Sequence, residues 1–158
     1  MPGIDYAGRN RKHLDSLLPE VAEVAVRHIA ACATEGIALA VVQSLRSMEE
    51  QEKIYARGRT MPGRAVTAAK PGYSWHNFGR AYDVAVVEDG RITWNSPKYA
   101  RAGEVGRALG LIWGGDFKTV KGDVGHFEYH PGLTLAEARE ALKQPSPSVP
   151  LPQVARGI

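Results

Sequence analysis

Two short stretches of this chain gather residues able to bind a metal ion and to move a proton. One runs Ser74-Trp75-His76-Asn77-Phe78-Gly79-Arg80-Ala81-Tyr82-Asp83, the other Gly122-Asp123-Val124-Gly125-His126-Phe127-Glu128-Tyr129. A catalytic zinc site uses three protein ligands with nitrogen or oxygen donors and keeps one position for water. His76, Asp83 and His126 supply such a set. Asp123, three residues before His126, is placed to act as a general base that takes a proton from an attacking water and passes it to the leaving amine. A developing oxyanion needs a positive partner beside the metal, and Arg46 is the candidate. From the residues alone a second reading stays open, in which each histidine and carboxylate is an ordinary packed or solvated side chain. His13, His28 and His130 are given that plain reading. Glu128 either orients the His126 ring or is simply solvated or ion-paired. Asp116, among glycines, reads as a turn residue. Trp75 and Trp113 read as core packing or cleft wall.

The elements that must position these residues can be traced from the pattern of the chain. Leu14, Leu17, Leu18, Val21, Val24, Ala25 and Ile29 recur at helical spacing, and Pro19 divides this region into a short and a longer helix ending at Gly36. The apolar run from Ile37 to Val42 predicts a buried strand, and Arg46 follows it. Ser47 and Glu50 form a capping box that opens a helix through about Ala56. Gly58 to Phe78 predicts a long ordered loop, of the kind that carries function. Asp89-Gly90 links the runs Ala81–Val87 and Arg91–Trp94 as a hairpin. A helix from Pro97 to Leu109, short strands at Leu111–Trp113 and His126–Tyr129, and a last helix Leu135–Leu142 capped by Thr134 complete the series. Helices at both ends and hairpin-linked strands between them predict an α+β fold with a small, mainly antiparallel sheet. One domain is expected over residues 1–143, followed by a Pro-rich, flexible tail over 144–158.

Bulk properties narrow the class of function. With 158 residues, 44% hydrophobic and 23% charged, the chain is an ordinary globular domain with room for one core. Its formal charge of +3 suits approach to an anionic surface, while the scattered basic residues form no nucleic-acid module. The single cysteine, Cys32, excludes an intrachain disulfide and reads as a buried thiol. The N-terminus has no signal-peptide pattern, and no apolar run is long enough to span a bilayer.

The segment SWHNFGRAYDV followed by GDVGHFEY resembles the M15 family of zinc metallopeptidases, which includes D-alanyl-D-alanine carboxypeptidases and L-alanyl-D-glutamate peptidases. Residues 74–83 match the family's Ser-x-His-x-x-Gly-x-x-x-Asp form without a gap, and Asp123 and His126 match its second motif. Ser44-Leu45-Arg46-Ser47 with Glu50-Gln51 and the run from Tyr55 to Thr60 is similar to the segment bearing the family's substrate-polarising arginine. The resemblance implies the small sheet flanked by helices that these enzymes share with the hedgehog signalling domain. It implies one zinc ion on His76, Asp83 and His126, Asp123 as base, Arg46 as transition-state partner and Ser74 in contact with substrate. Aspartate at 123, where carboxypeptidase members often carry glutamate, looks most like the endopeptidase branch of bacteriophage endolysins. These cut the L-alanyl-D-glutamate bond of peptidoglycan stem peptides. The expectation is therefore a monomeric lysin made in the host cytoplasm and reaching the periplasm through holin-type membrane lesions. The neighbouring reading is a D-alanyl-D-alanine carboxypeptidase, and one from another class is a non-catalytic zinc-containing binding module.

Overall fold

The computed structural model describes residues 6–118 and 123–143, so the tail expected over 144–158 lies outside the described residues. Its elements are helices α1 (Tyr6–Asp15), α2 (Pro19–Thr34), α3 (Met48–Ala56), α4 (Lys98–Ala108) and α5 (Leu135–Lys143), with strands β1 (Ala38–Gln43), β2 (Ala81–Glu88), β3 (Arg91–Thr93), β4 (Ile112–Trp113) and β5 (His126–Glu128). The local signals act as expected. Pro19 starts α2, where its missing N–H costs nothing. The Ser47 side chain accepts from the Glu50 N–H while the Glu50 carboxylate accepts from the Ser47 N–H, so both halves of the capping box are made. Thr134 and Glu137 build the same reciprocal cap on α5. Asp89 and Gly90 both have positive φ, 52° and 74°, as a two-residue hairpin turn matched to strand twist requires.

The five strands form one antiparallel sheet in the order β1-β2-β5-β4, with β3 paired to the far end of β2. Tyr82, Val84 and Val86 of β2 point to one face and pack with Val21, Val24, Ala25 and Cys32 of α2 and with Phe127. His28 sits fully buried in this core, bonded to the Tyr82 hydroxyl at 2.8 Å and to the Ala102 carbonyl at 2.9 Å, so both ring nitrogens are satisfied. Cys32 is also fully buried, and burial pushes its thiol up to about 11, which makes it unreactive. Trp113 packs in the main core. Trp75 belongs to a second cluster with Ala81 and Ala138, which ties α5 to the sheet. Among the described residues, no helix is long and apolar enough to cross a membrane.

The end of the long loop expected over 58–78 is instead a 3₁₀ turn, Trp75–Phe78. The Ser74 side chain caps it by accepting from the His76 N–H at 3.2 Å, and Gly79 closes it at φ 68°. That left-handed turn lets the chain enter β2 five residues after His76, and Gly79's carbonyl accepts from Leu18 N–H at the head of α2.

Candidate active site

Register brings the two sequence motifs together. Antiparallel pairing of β2 with β5 sets Asp83 directly opposite His126, and the 3₁₀ turn holds His76 just before the same strand. One donor atom from each of these three residues lies within 4.8 Å of the others. His76 Nδ1–H donates to the Ser44 carbonyl at 2.8 Å, leaving Nε2 aimed at Asp83 Oδ1, 3.3 Å away. His126 Nε2–H donates to Glu128 Oε1 at 2.7 Å, leaving Nδ1 at 3.0 Å from the same Asp83 oxygen. Each ring is thus anchored through its outer nitrogen and offers the inner one, an arrangement typical of metal-ligating histidines. Two imidazole nitrogens and one carboxylate oxygen, two of the three residues buried, form a donor set that fits a divalent metal ion.

Without a metal, Asp83 and His126 hold each other in opposite charge states. Burial alone would raise the Asp83 carboxyl, but hydrogen bonds from His126 and His76 outweigh it and keep the group well below the usual carboxylate range. Burial would likewise lower His126, yet its bonds to Asp83 and Glu128 push it up to about 10. A metal entering the site therefore takes the place of a proton on His126.

All six residues singled out in the sequence line one cavity of about 220 Å³: Arg46, Ser74, His76, Asp83, Asp123 and His126. Asp123 is half-buried, and burial raises its carboxyl above the ordinary value, with the Asp83 charge adding to the effect and the two histidines opposing it. Its position depends on Gly114. A Cβ there would stand 2.2 Å from the Asp123 carbonyl oxygen and 2.9 Å from His126 Cβ. Trp113 Nε1–H donates to the Val124 carbonyl at 2.7 Å and fixes the same segment from beneath.

Arg46 is held from both ends. Its N–H donates to the His76 carbonyl at 2.9 Å, and its guanidinium Nη1 donates to Gln51 Oε1 at 2.9 Å. Gln51 is fully buried, and its amide donates to the Ala69 carbonyl at 2.6 Å, which joins α3, the long loop and the cation. Glu128 takes the orienting position that was one of its two sequence readings. Its second oxygen meets His130, whose ring stacks on Trp75 at 3.8 Å between centroids. His130 is thus a partner of Glu128 and no ligand, while His13 bonds Ser44 Oγ at 2.7 Å. Asp116 pairs with Arg107 at 3.2 Å, outside the donor cluster.

Sequence analysis missed the roles of Gln51, Gly114 and His130. Gln51 does lie inside the Glu50-Gln51 match, but a glutamine on a helix gives no local sign of burial. Gly114 follows a strand in a glycine pair, which signals close backbone approach without saying to what.

The chain is 38% identical over 112 residues to the peptidoglycan L-alanyl-D-glutamate endopeptidase CwlK of Bacillus subtilis (strain 168), covering 65% of this chain and 66% of that protein, just under two thirds of its length. The fold is similar to that of the Serratia marcescens L-Ala D-Glu endopeptidase ChiX, at 27% identity and TM-score 0.56, over 77% of this chain and 86% of the other. It is also similar to a VanY D,D-pentapeptidase from a VanB-type resistance cassette, in complex with Zn(II), with TM-score 0.57 over 81% and 79% of the two chains. At 18% identity that likeness speaks to the fold. The VanY D-alanyl-D-alanine carboxypeptidase family profile matches residues 14–107, more than half of the chain, and this protein belongs to that family.

Proposed function

We propose that this protein is a zinc-dependent endopeptidase that cleaves the L-alanyl-D-glutamate bond of peptidoglycan stem peptides. The observation that carries the reading is the convergence of His76, Asp83, His126, Asp123 and Arg46 on one cavity. The bond is supported by CwlK and ChiX, both of them L-alanyl-D-glutamate endopeptidases. His76, Asp83 and His126 would hold the ion, whose mixed nitrogen and oxygen donors suit zinc. Bound there, zinc supplies Lewis acidity for hydrolysis of an amide. The chain's own residues do the rest. Asp123 accepts the proton of the attacking water and returns it to the leaving D-glutamyl amine, so the base ends each turnover as it began. The Arg46 guanidinium, fixed by Gln51, stabilises negative charge developing on the scissile carbonyl oxygen. Ser74, whose hydroxyl lines the cavity beside His76, contacts the substrate backbone.

A biological setting consistent with this activity is host lysis by a bacteriophage, with a monomeric enzyme reaching peptidoglycan after holin-type permeabilisation of the membrane. The family's description favours a second reading, removal of terminal D-alanine. Incubation with a stem pentapeptide separates the two by chromatography of the products. Chelator-sensitive appearance of a new amino terminus at D-glutamate supports the endopeptidase, and free D-alanine assigns the carboxypeptidase.

A further inference from the structure

The active centre opens in two directions that differ in character. On one side, the cavity around Arg46 is walled by Ile54 of α3 and by Val66, Thr67 and Ser74 of the long loop. On the other side, a second cavity of about 290 Å³ shares only Asp83 and Asp123 with the first, and its walls are Val42, Val84, Trp94 and Tyr99. Among the described residues, this second cavity has no lysine or arginine in its lining. Its two acidic members, Asp83 and Asp123, are shared with the first cavity, so the Arg46 guanidinium is the charge that distinguishes the two arms.

Trp94 is the conspicuous feature there. It is 65% exposed, whereas Trp75 and Trp113 are buried, and it lines a cavity that reaches the proposed base. The segment carrying it is pinned at both ends. The buried Tyr99 hydroxyl donates to the Thr93 carbonyl at 3.0 Å while accepting from Val86 N–H at 3.1 Å. On the other side, Ser96 Oγ accepts from Lys98 N–H at the start of α4. The indole is therefore presented from a fixed turn, so binding against it costs little ordering of the chain. Gly125 keeps the floor of the cavity low. A Cβ there would collide with the Val84 carbonyl at 2.4 Å.

The two arms of the proposed substrate differ in the same way. Beyond the scissile bond, the D-glutamyl residue carries a free α-carboxylate, because the stem continues through its γ-carboxyl. Before the bond, the L-alanyl residue is uncharged, since its amine is acylated by the lactyl group of a muramic acid sugar. Charge complementarity sends the glutamyl arm over Arg46 and leaves the uncharged arm for the aromatic cavity.

We infer that the Val42–Val84–Tyr99–Trp94 cavity is the subsite for the L-alanyl residue and its muramoyl sugar, with the Trp94 indole as the platform on which the sugar ring stacks. The inference rests on the endopeptidase reading above and deepens it: the enzyme prefers stem peptides still attached to muramic acid. Trp94 is a specificity residue. Its removal alters the choice between substrates.

The test compares kcat/KM of the zinc-loaded full-length protein on N-acetylmuramoyl-L-alanyl-D-glutamyl peptide and on the same peptide without the sugar. The wild type should favour the muramoyl substrate by about tenfold, the scale of one aromatic contact. Trp94→Ala should bring that ratio close to one, chiefly through KM, and Trp94→Phe should restore most of it. Equal rates on both substrates by the wild type, or an equal loss on both in Trp94→Ala, would overturn the subsite while leaving the endopeptidase intact. A loss in Trp94→Ala confined to substrates extended beyond D-glutamate would place the other arm in this cavity and overturn the assignment. Cleavage of neither substrate would overturn the endopeptidase reading itself, and the subsite with it.

Discussion

Glu128 receives the Nε2–H of His126 at 2.7 Å, on the side of the ring facing away from Asp83, and its other carboxylate oxygen is taken by His130. One buried carboxylate therefore decides which nitrogen of His126 faces the metal position. His130 stacks on Trp75, which holds this arrangement against the second core cluster. Ser44 does the same for His76 through a backbone carbonyl, which substitution of the side chain leaves in place.

Replacing Glu128 by Gln removes the charge that orients His126 and keeps the shape. Metal affinity should fall by about 10- to 100-fold, the usual cost of losing such a partner. Competition against a chromophoric chelator measures it. Wild-type affinity in the variant would mean that His126 is oriented without Glu128.

The metal-free protein should have a bell of stability against pH. Asp83 is depressed in the folded state, so its contribution is present above the ordinary aspartate value of 3.8 and is lost as the pH falls through the lower folded value. His126 is raised from 6.5 to about 10, so its contribution is full below 6.5 and disappears as the pH rises through about 10. Urea unfolding of chelator-treated protein checks this. His126→Ala should flatten the alkaline limb, and an unchanged limb would assign it to other groups. Zinc uptake at neutral pH should also release about one proton from His126, measurable by calorimetry in buffers of different ionisation enthalpy.

Asp123→Asn should lower kcat by about 10²- to 10⁴-fold, the range for loss of a general base, with zinc still bound in stoichiometric amount. Metal analysis alongside kinetics separates base from ligand. Near-wild-type turnover would take Asp123 out of the mechanism.

Gln51→Leu leaves the Ala69 carbonyl without its donor and frees the Arg46 guanidinium from its 2.9 Å anchor. The fold should lose about 1–3 kcal/mol, the cost of an unpaired buried polar group. Turnover should fall further than metal content, because the displaced group is the cation. Denaturant unfolding and kcat on the same preparation report both effects, and unaltered kcat would contradict the positioning role.

Gly114→Ala tests the packing of the catalytic segment. Its new Cβ would fall 2.2 Å from the Asp123 carbonyl, and backbone cannot yield as a side-chain tip can. Overpacking of this kind costs about 1–3 kcal/mol. Metal binding and activity should fall together, since Asp123 and His126 move as one piece. Retention of both would show that the 123–126 segment has slack.

Much of this structure was legible because its signals are local. Pro19, the Ser47/Glu50 box and Asp89-Gly90 act within a few residues, and each appears where expected. The clustering of His76, Asp83 and His126 was legible because donor chemistry restricts residue type and a glycine between His76 and Asp83 marks the turn that joins them. The full strand order β1-β2-β5-β4 was not, since it also depends on which strand takes the other edge of β2, a pairing as distant in sequence as Ala38 with Val87. For the same reason, Gln51, Gly114 and His130 were not read as parts of the site. Their roles are set by what packs against them, and a single sequence position does not name that partner.

The most direct test of the central claim is mass spectrometry of the soluble products from purified peptidoglycan digested by the zinc-loaded protein, with and without a chelator. The account predicts chelator-sensitive release of peptides that begin at D-glutamate, with L-alanine left on the glycan. Free D-alanine with the stem otherwise intact, or no product from protein shown to hold zinc, would contradict it.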